Sequence, residues 1–501
     1  MSSEKLEYID LESINIEDEM VKKIPENIAR ENCLIAIKEQ NQCLYIVINE
    51  NPDLLLKDEL KFISNREVKF FRGDKNKIVD AINAYYCKCS VEKAIKIIKT
   101  EKKIYNAKNG YEFTNDESLQ EAPVVKIINS IINMAISEKA SDIHLEPFQR
   151  DVLVRFRIDG IISSFTRIPK DIYPLVCTRF KIMASMDISE KRIPQDGKIK
   201  YVYENKNYDF RISTLPTILG EKIVIRILYK SEDIKVLDSL GFLKNDVEAI
   251  KNMLKNSHGI ILITGPTGSG KSTTLYSMLD TLNKNEKNIT SIEDPVECIM
   301  DNINQVKVNN KVGLSFAQGL KSILRQDPDV IMVGEIRDEE TAHIAIRAAI
   351  TGHLVLSTLH TNSAVESILR LLEMGIPSYF IEDALIGVIS QRLVRKICPY
   401  CGKSYYASEA EKKYLNLNSD DKLYHGIGCY KCRGTGYKDR TVVYEIVNFK
   451  VLKDINVVNK KYIEHIDKYN LNKYITSIKD NCIELIKNGI TTYDELIRKN
   501  L

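Results

Sequence analysis

The sequence contains no apolar run approaching the ~18 residues that a membrane-spanning helix needs. Its first thirty residues are polar and acidic, which excludes a secretory signal there. The reading is a cytoplasmic protein whose membrane role, if any, runs through partners. Net charge is nearly absent, at +3, so no global basic field points to nucleic acid. There is no tryptophan, while Lys, Ile and Asn are abundant, a bias without functional content. Internal repeats and long low-complexity tracts are absent too. The eleven cysteines are odd in number, and four of them form two C-x2-C pairs. In a reducing compartment this favours a metal site plus buried free thiols over a disulfide framework.

At 501 residues the chain exceeds what one hydrophobic core supports, so several domains are expected. Residues 20 to 100 alternate short β-like and helical runs: CLYIVI and VKFFRG read as strands, DLLLKDELKFIS and KIVDAINAYY as helices. NAKNGYEFTNDESLQE is polar and turn-rich, a linker. A helix is predicted from Ala122 to Lys139, and DIHLEP, VLVRFRIDGIISSF, KYVYENKNYDFRIST and KIVIRILY alternate like strands of an α+β domain. From Gly259 the pattern changes. IILITG, ITSIED, DVIMVGE and HLVLSTLH are mostly apolar runs between helical stretches, as in a buried, largely parallel sheet. A Cys-rich insertion, the strand TVVYEIV and a helical tail follow.

The strongest motif is Gly265-Pro266-Thr267-Gly268-Ser269-Gly270-Lys271-Ser272, continued by Thr273. It follows a predicted strand and opens a predicted helix, the context a phosphate-binding loop needs. Glycines let backbone N–H groups curl around phosphates at a helix N-terminus. Lys271 is expected to reach the β- and γ-phosphates of ATP, and the Ser272 hydroxyl to ligand Mg²⁺. DVIMVGE is an apolar strand ending in an acid. Gly334 stands where an aspartate is usual, so Glu335 is the first carboxylate, able to polarise the attacking water or hold Mg²⁺ through water. SIEDPVE offers Glu293 at a second acidic strand end; alone it also reads as a turn with helix-capping acids. His353 and His360 bracket a strand and stand ~23 Å apart at ~3.3 Å per residue. His360, at the carboxyl end, is the better γ-phosphate sensor, and His353 the structural or subunit contact. For both, a plain structural histidine is the competing reading.

Cys398-Pro399-Tyr400-Cys401 and Cys429-Tyr430-Lys431-Cys432 lie 27 residues apart. Each pair presents two thiolates, and four thiolates close a tetrahedral structural zinc. An unmetallated or redox dithiol is the alternative. Aromatic residues interleave sparsely with Lys431, Arg433 and Lys438, which speaks against a nucleic-acid ribbon. Arg155, Arg157, Arg192, Arg211 and Arg226 precede the P-loop region. They suit either arginine fingers reaching another domain or subunit, or ordinary salt bridges.

Taken together, GPTGSGKST, SIEDPVE, LRQDPDVIMVGEIRD and TGHLVLSTLHTN resemble the secretion/pilus ATPase superfamily, the GspE, PilB and PilT group. ASDIHLEP, VRFRIDG and FRISTLPTILGEKIVIRIL resemble its second N-terminal domain, and the likeness runs from about Leu119 to Leu501. The resemblance implies that Glu335 is the catalytic glutamate. Glu293 would be the acidic-box residue that positions water or Mg²⁺. Arg211 and Arg226 would reach the nucleotide across domains, and His353 and His360 would form the histidine box. It implies a homohexameric ring that changes shape as ATP turns over, driving a membrane platform protein that adds pilin subunits, with a cytoplasmic adaptor and peripheral membrane association.

The tetracysteine insertion and long N-terminal region make the chain most similar to extension ATPases of type IV pilus assembly, with the type II secretion motor as alternative. The N-terminal 115 residues match the family's first domain loosely, without the arginine-and-leucine pattern of its cyclic-di-GMP-binding version. The implied α/β architecture is a small N-terminal α/β domain at 1–105 and a linker at 106–118. A PAS-like α+β domain follows at 119–232 and a RecA-like ATPase core at 233–395. A zinc-binding insertion at 396–439 and a C-terminal helical subdomain at 440–501 complete it. Two other classes compete. A nucleic-acid translocase needs a basic channel, which the charge balance opposes. A silent ATP-binding scaffold is opposed by the intact Lys271, Ser272, Glu293 and Glu335.

Overall fold

The computed structural model describes residues 6–98, 117–228, 236–449 and 476–501, apart from 12, 13, 15, 17, 84, 87–90, 92, 96, 284, 285 and 419. The expected linker falls almost wholly outside the described residues, as does the tail at 450–475. The chain divides into two compact units. The first is Met1–Tyr229 with Cys398–Gly402 and Gly426–Tyr437; the second is Lys230–Ile397 with Lys403–His425 and Lys438–Leu501.

The first unit begins with a three-stranded sheet of Leu34–Gln40, Cys43–Ile48 and Glu67–Arg72. The first two strands are antiparallel and the last two parallel, so a crossover must join the parallel pair. The helix Leu54–Ser64 supplies it. Asp53 caps its start by accepting the Leu56 N–H at 2.7 Å, and Asn65 ends it in a left-handed conformation. Strand Leu34–Gln40 opens with a buried apolar run, Leu34 to Ile37, that the periodicity did not single out.

A six-stranded antiparallel sheet follows, in the order Ile161–Pro169, Asp151–Ile158, Asp142–Pro147, Gly220–Leu228, Lys206–Thr217, Gln195–Tyr203. Side-chain alternation sends Val152, Val154 and Phe156 into a core shared with the helix Glu117–Ser137. It leaves Arg155 and Arg157 on the opposite face. Two runs that alternate as single strands are hairpins. Asp159-Gly160 and Glu204-Asn205 both take positive φ, and such two-residue turns preserve the alternation on either side.

The second unit is built on a seven-stranded sheet ordered Asn304–Lys307, Ile289–Glu293, Val330–Val333, Leu354–Leu359, Gly259–Thr264, Leu385–Ile397, Tyr437–Asn448. The first six strands are mutually parallel. Ile260 and Leu262 enter one apolar cluster and Ile261 and Ile263 another. The strand is buried on both faces, which is why its sequence is an unbroken apolar run. Parallel strands bring their carboxyl ends to one edge of the sheet, where open α/β sheets hold ligands. Among the described residues no helix is long and apolar enough to cross a membrane.

Candidate nucleotide site and metal centre

The glycine loop leaves the strand Gly259–Thr264 and enters the helix Lys271–Leu282, with Gly270 at its N-cap. Gly265 has φ 145°, and a Cβ there would stand 2.4 Å from the Gln391 carbonyl oxygen, so only glycine fits. Gly270 has φ 88°. The Ser269 Oγ is buried and has no hydrogen-bond partner among the described residues. Lys271 is buried and donates to the carbonyls of Gly265 at 2.7 Å and Pro266 at 3.1 Å. Burial pushes its ammonium down to about 8; Glu335 opposes that shift and Arg392 adds to it. Ser272, one residue on, is exposed.

Glu335 lies just beyond the strand Val330–Val333. Arg337 pairs with its Oε1 at 2.6 Å, and the His360 Nε2 is 3.4 Å from its Oε2. The structure thus brings Glu335 and His360 together, with His360 half-exposed. Gly334, where an acid is usual, sits close against the neighbouring strand. A Cβ there would lie 3.3 Å from the Ile292 carbonyl oxygen and 3.4 Å from the Glu293 Cα. His353 is at the other end of its strand, where Nδ1 meets the Ala348 carbonyl at 3.1 Å, a structural contact.

Glu293 is buried and both its oxygens are engaged. Oε1 accepts from Ser291 Oγ at 2.6 Å and from Gln305 Nε2 at 3.0 Å, and Oε2 accepts from the Tyr276 hydroxyl. Tyr276 belongs to the P-loop helix, so Glu293 is an anchor between that helix and its own strand. Ser272, Glu335 and Glu293 offer oxygen donors, the kind a hard cation such as Mg²⁺ takes, with Glu293 already committed to protein donors.

Two partners escaped the motif reading. Arg337 fixes Glu335 and is raised by that hydrogen bond. Gln391 is 1% exposed inside Leu385–Ile397. Its Nε2 donates to the Ser269 carbonyl at 2.9 Å, and its Oε1 accepts from Thr274 Oγ1 at 3.0 Å. The available signal was Ser390-Gln391, an uncharged polar pair inside an otherwise apolar run, because buried amides are kept where they find partners.

Arg211 and Arg226 face each other in register on neighbouring strands of the first unit. Asp142 accepts from Arg226 Nε at 3.1 Å and lies 3.6 Å from Arg157 Nε. Arg155 pairs with Glu146, and Arg192 with Glu190 at 2.7 Å.

Cys398, Cys401, Cys429 and Cys432 are all buried, with Sγ atoms within 4.8 Å of one another. Cys398–Cys429 is 3.8 Å, Cys401–Cys432 3.7 Å and Cys429–Cys432 3.7 Å. Thiolates about 2.3 Å from a tetrahedral zinc are about 3.8 Å apart, whereas a disulfide spans about 2.0 Å. The donor set therefore fits zinc. The N–H groups of Cys429 and Gly436 point at the Cys432 Sγ at 3.2 and 3.3 Å, as outer-shell donors do. Gly426 is required because a Cβ there would meet the Gly436 oxygen at 2.0 Å. Beside this cluster, Lys431 pairs with Asp80 at 2.6 Å and Arg433 with Glu138 at 2.5 Å.

A loop of this kind is built to hold nucleotide phosphates, and the class it defines is that of the P-loop ATPases. Within that class, the chain belongs to the Type II/IV secretion system protein family, whose profile matches residues 117–498. The MshEN domain profile matches residues 5–88, a likeness that the residue-by-residue reading saw only loosely. The type IV pilus assembly ATPase PilB of Myxococcus xanthus is 37% identical over 498 residues, 98% of this chain and 88% of its own. Type II secretion system protein E of Pseudomonas aeruginosa is 44% identical over 384 residues, 76% of each chain. Among solved structures, the pilus retraction motor PilT with bound ADP is 28% identical with TM-score 0.51, covering 75% of this chain and 98% of its own.

Proposed function

We propose that this ATPase is a homohexameric motor that powers type IV pilus assembly, adding pilin through a membrane platform protein with a cytoplasmic adaptor. It would work at the cytoplasmic membrane face through those partners. The observation that carries this reading is reach. The pilus-assembly relative aligns along nearly the whole chain, N-terminal region included, whereas the secretion relative aligns over three quarters. The higher identity of that shared part favours the alternative, a type II secretion motor.

In this reading Lys271 and the loop N–H groups hold the β- and γ-phosphates, and the buried, unpartnered Ser269 Oγ is an additional donor to them. Water attacks the γ-phosphorus as the bond to the β-γ bridging oxygen breaks, giving ADP and phosphate. Glu335, aimed by Arg337 and His360, accepts the water proton. Mg²⁺, when bound, neutralises charge on the β- and γ-oxygens. Ser272 would hold it, and Glu293 acts through the Tyr276 anchor. The side-by-side cations Arg211 and Arg226 support a role in completing a pocket from another domain or subunit. The four cysteines would hold one structural zinc.

Deletion of the gene in its source cell tests the proposal. Loss of surface pili is expected. Loss of secreted enzymes with pili intact would establish the alternative, and hyperpiliation would point to retraction.

A further inference from the structure

The strand Leu385–Ile397 supports two loops at the carboxyl edge of the sheet. Ser390 Oγ donates to the Asn362 carbonyl at 3.2 Å, and Arg392 donates to the same carbonyl at 3.1 Å, which fixes the loop after His360. Gln391 between them turns to the glycine loop instead, one end of its amide on Ser269 and the other on Thr274.

We infer that Gln391 is a positioning residue that aims the Gly270 N–H into the phosphate cradle. The carbonyl of Ser269 and the N–H of Gly270 belong to one peptide plane, and in a trans peptide they point in opposite directions. Gln391 holds the carbonyl on the sheet side, so the N–H is directed away from the sheet. The plane needs such a brace because Gly270 has no Cβ to restrict its φ, which stands at 88°. Thr274, on the first turn of the P-loop helix, fixes the brace by donating to the amide oxygen. The amide therefore cannot rotate without losing both bonds. The main chain of Gln391 adds a steric stop, since its carbonyl lies where a side chain at Gly265 would have to be. The inference rests on the reading of this loop as the phosphate site.

The test measures the affinity of the purified full chain for a non-hydrolysable ATP analogue. Gln391→Met keeps volume and deletes both amide bonds; affinity should fall about tenfold, the effect of one lost buried hydrogen bond. Gln391→Glu restores the donor only when its acid is protonated. Its affinity should therefore recover towards wild type as pH falls, beyond any change in wild type over the same range. Binding by Gln391→Met equal to wild type overturns the inference whatever happens to kcat, as does a Gln391→Glu pH profile identical to wild type. Lys271→Ala separates the two levels: if it still binds the analogue, the loop is not the phosphate site and the reading beneath fails as well.

Discussion

At the scale of single residues, the site depends on charges held out of water. Lys271 is the clearest case. Its ammonium, shifted by burial to about 8, titrates well below the ordinary lysine value of 10.5. Between those two values the unfolded chain binds more protons than the folded one, so this group makes stability rise with pH across that window. Nucleotide phosphates favour the charged form, so binding above about pH 8 must take up a proton. Calorimetry in buffers of different ionisation heat should find uptake approaching one proton per nucleotide at about pH 9 and little at about pH 7. No uptake at the higher pH would mean that the ammonium stays charged in the free protein. Glu335 makes a second prediction. Glu335→Gln keeps the shape but cannot take a proton, so nucleotide affinity should survive while kcat falls by about 10²-fold or more. Normal turnover by this variant would remove Glu335 from the base role.

At the scale of elements, short connections set what each strand end can present. The second cysteine pair lies on a turn whose two arms approach so closely at Gly426 and Gly436 that neither position has room for a side chain. Metal analysis should find about one zinc per chain, and Cys398→Ser should lose it, because three thiolates leave a tetrahedral site open. A folded, zinc-free wild type would end the metal assignment. This scale also marks how far sequence carries. The P-loop strand was legible because burial on both faces demands an unbroken apolar run. The C-x2-C spacing was legible because thiolate geometry demands it. Glu335 and His360 could be named, but their contact could not, since it depends on two parallel strands ending side by side. The commitment of Glu293 to Tyr276, Ser291 and Gln305 was invisible for the same reason, and Gln391 carried no motif at all. The hairpin turns at Asp159-Gly160 and Glu204-Asn205 were hidden because two residues do not interrupt a period of two.

For the whole molecule, composition spoke mainly by exclusion. Near-neutral charge removes the electrostatic footprint of a nucleic-acid translocase. The purified protein should therefore show no DNA binding at physiological salt in a filter or anisotropy assay, and salt-sensitive binding there would reopen that class. The family became readable through the order of several long motifs, not through any one of them. The choice between pilus and secretion partners is not written in the active site, because both relatives share that part of the chain.

Neither compact unit is one continuous stretch of chain. The path leaves the first unit at Tyr229 and returns to it at Cys398–Gly402 and Gly426–Tyr437. A fragment begun at Lys230 would still carry the cysteine turns, but Lys431 and Arg433 would have lost Asp80 and Glu138, which lie far back in the sequence. The cut that looks natural on paper, just ahead of the ATPase motifs, thus severs the insertion from the surface it was folded against. An intact catalytic half should be sought by trimming both ends of that excursion together.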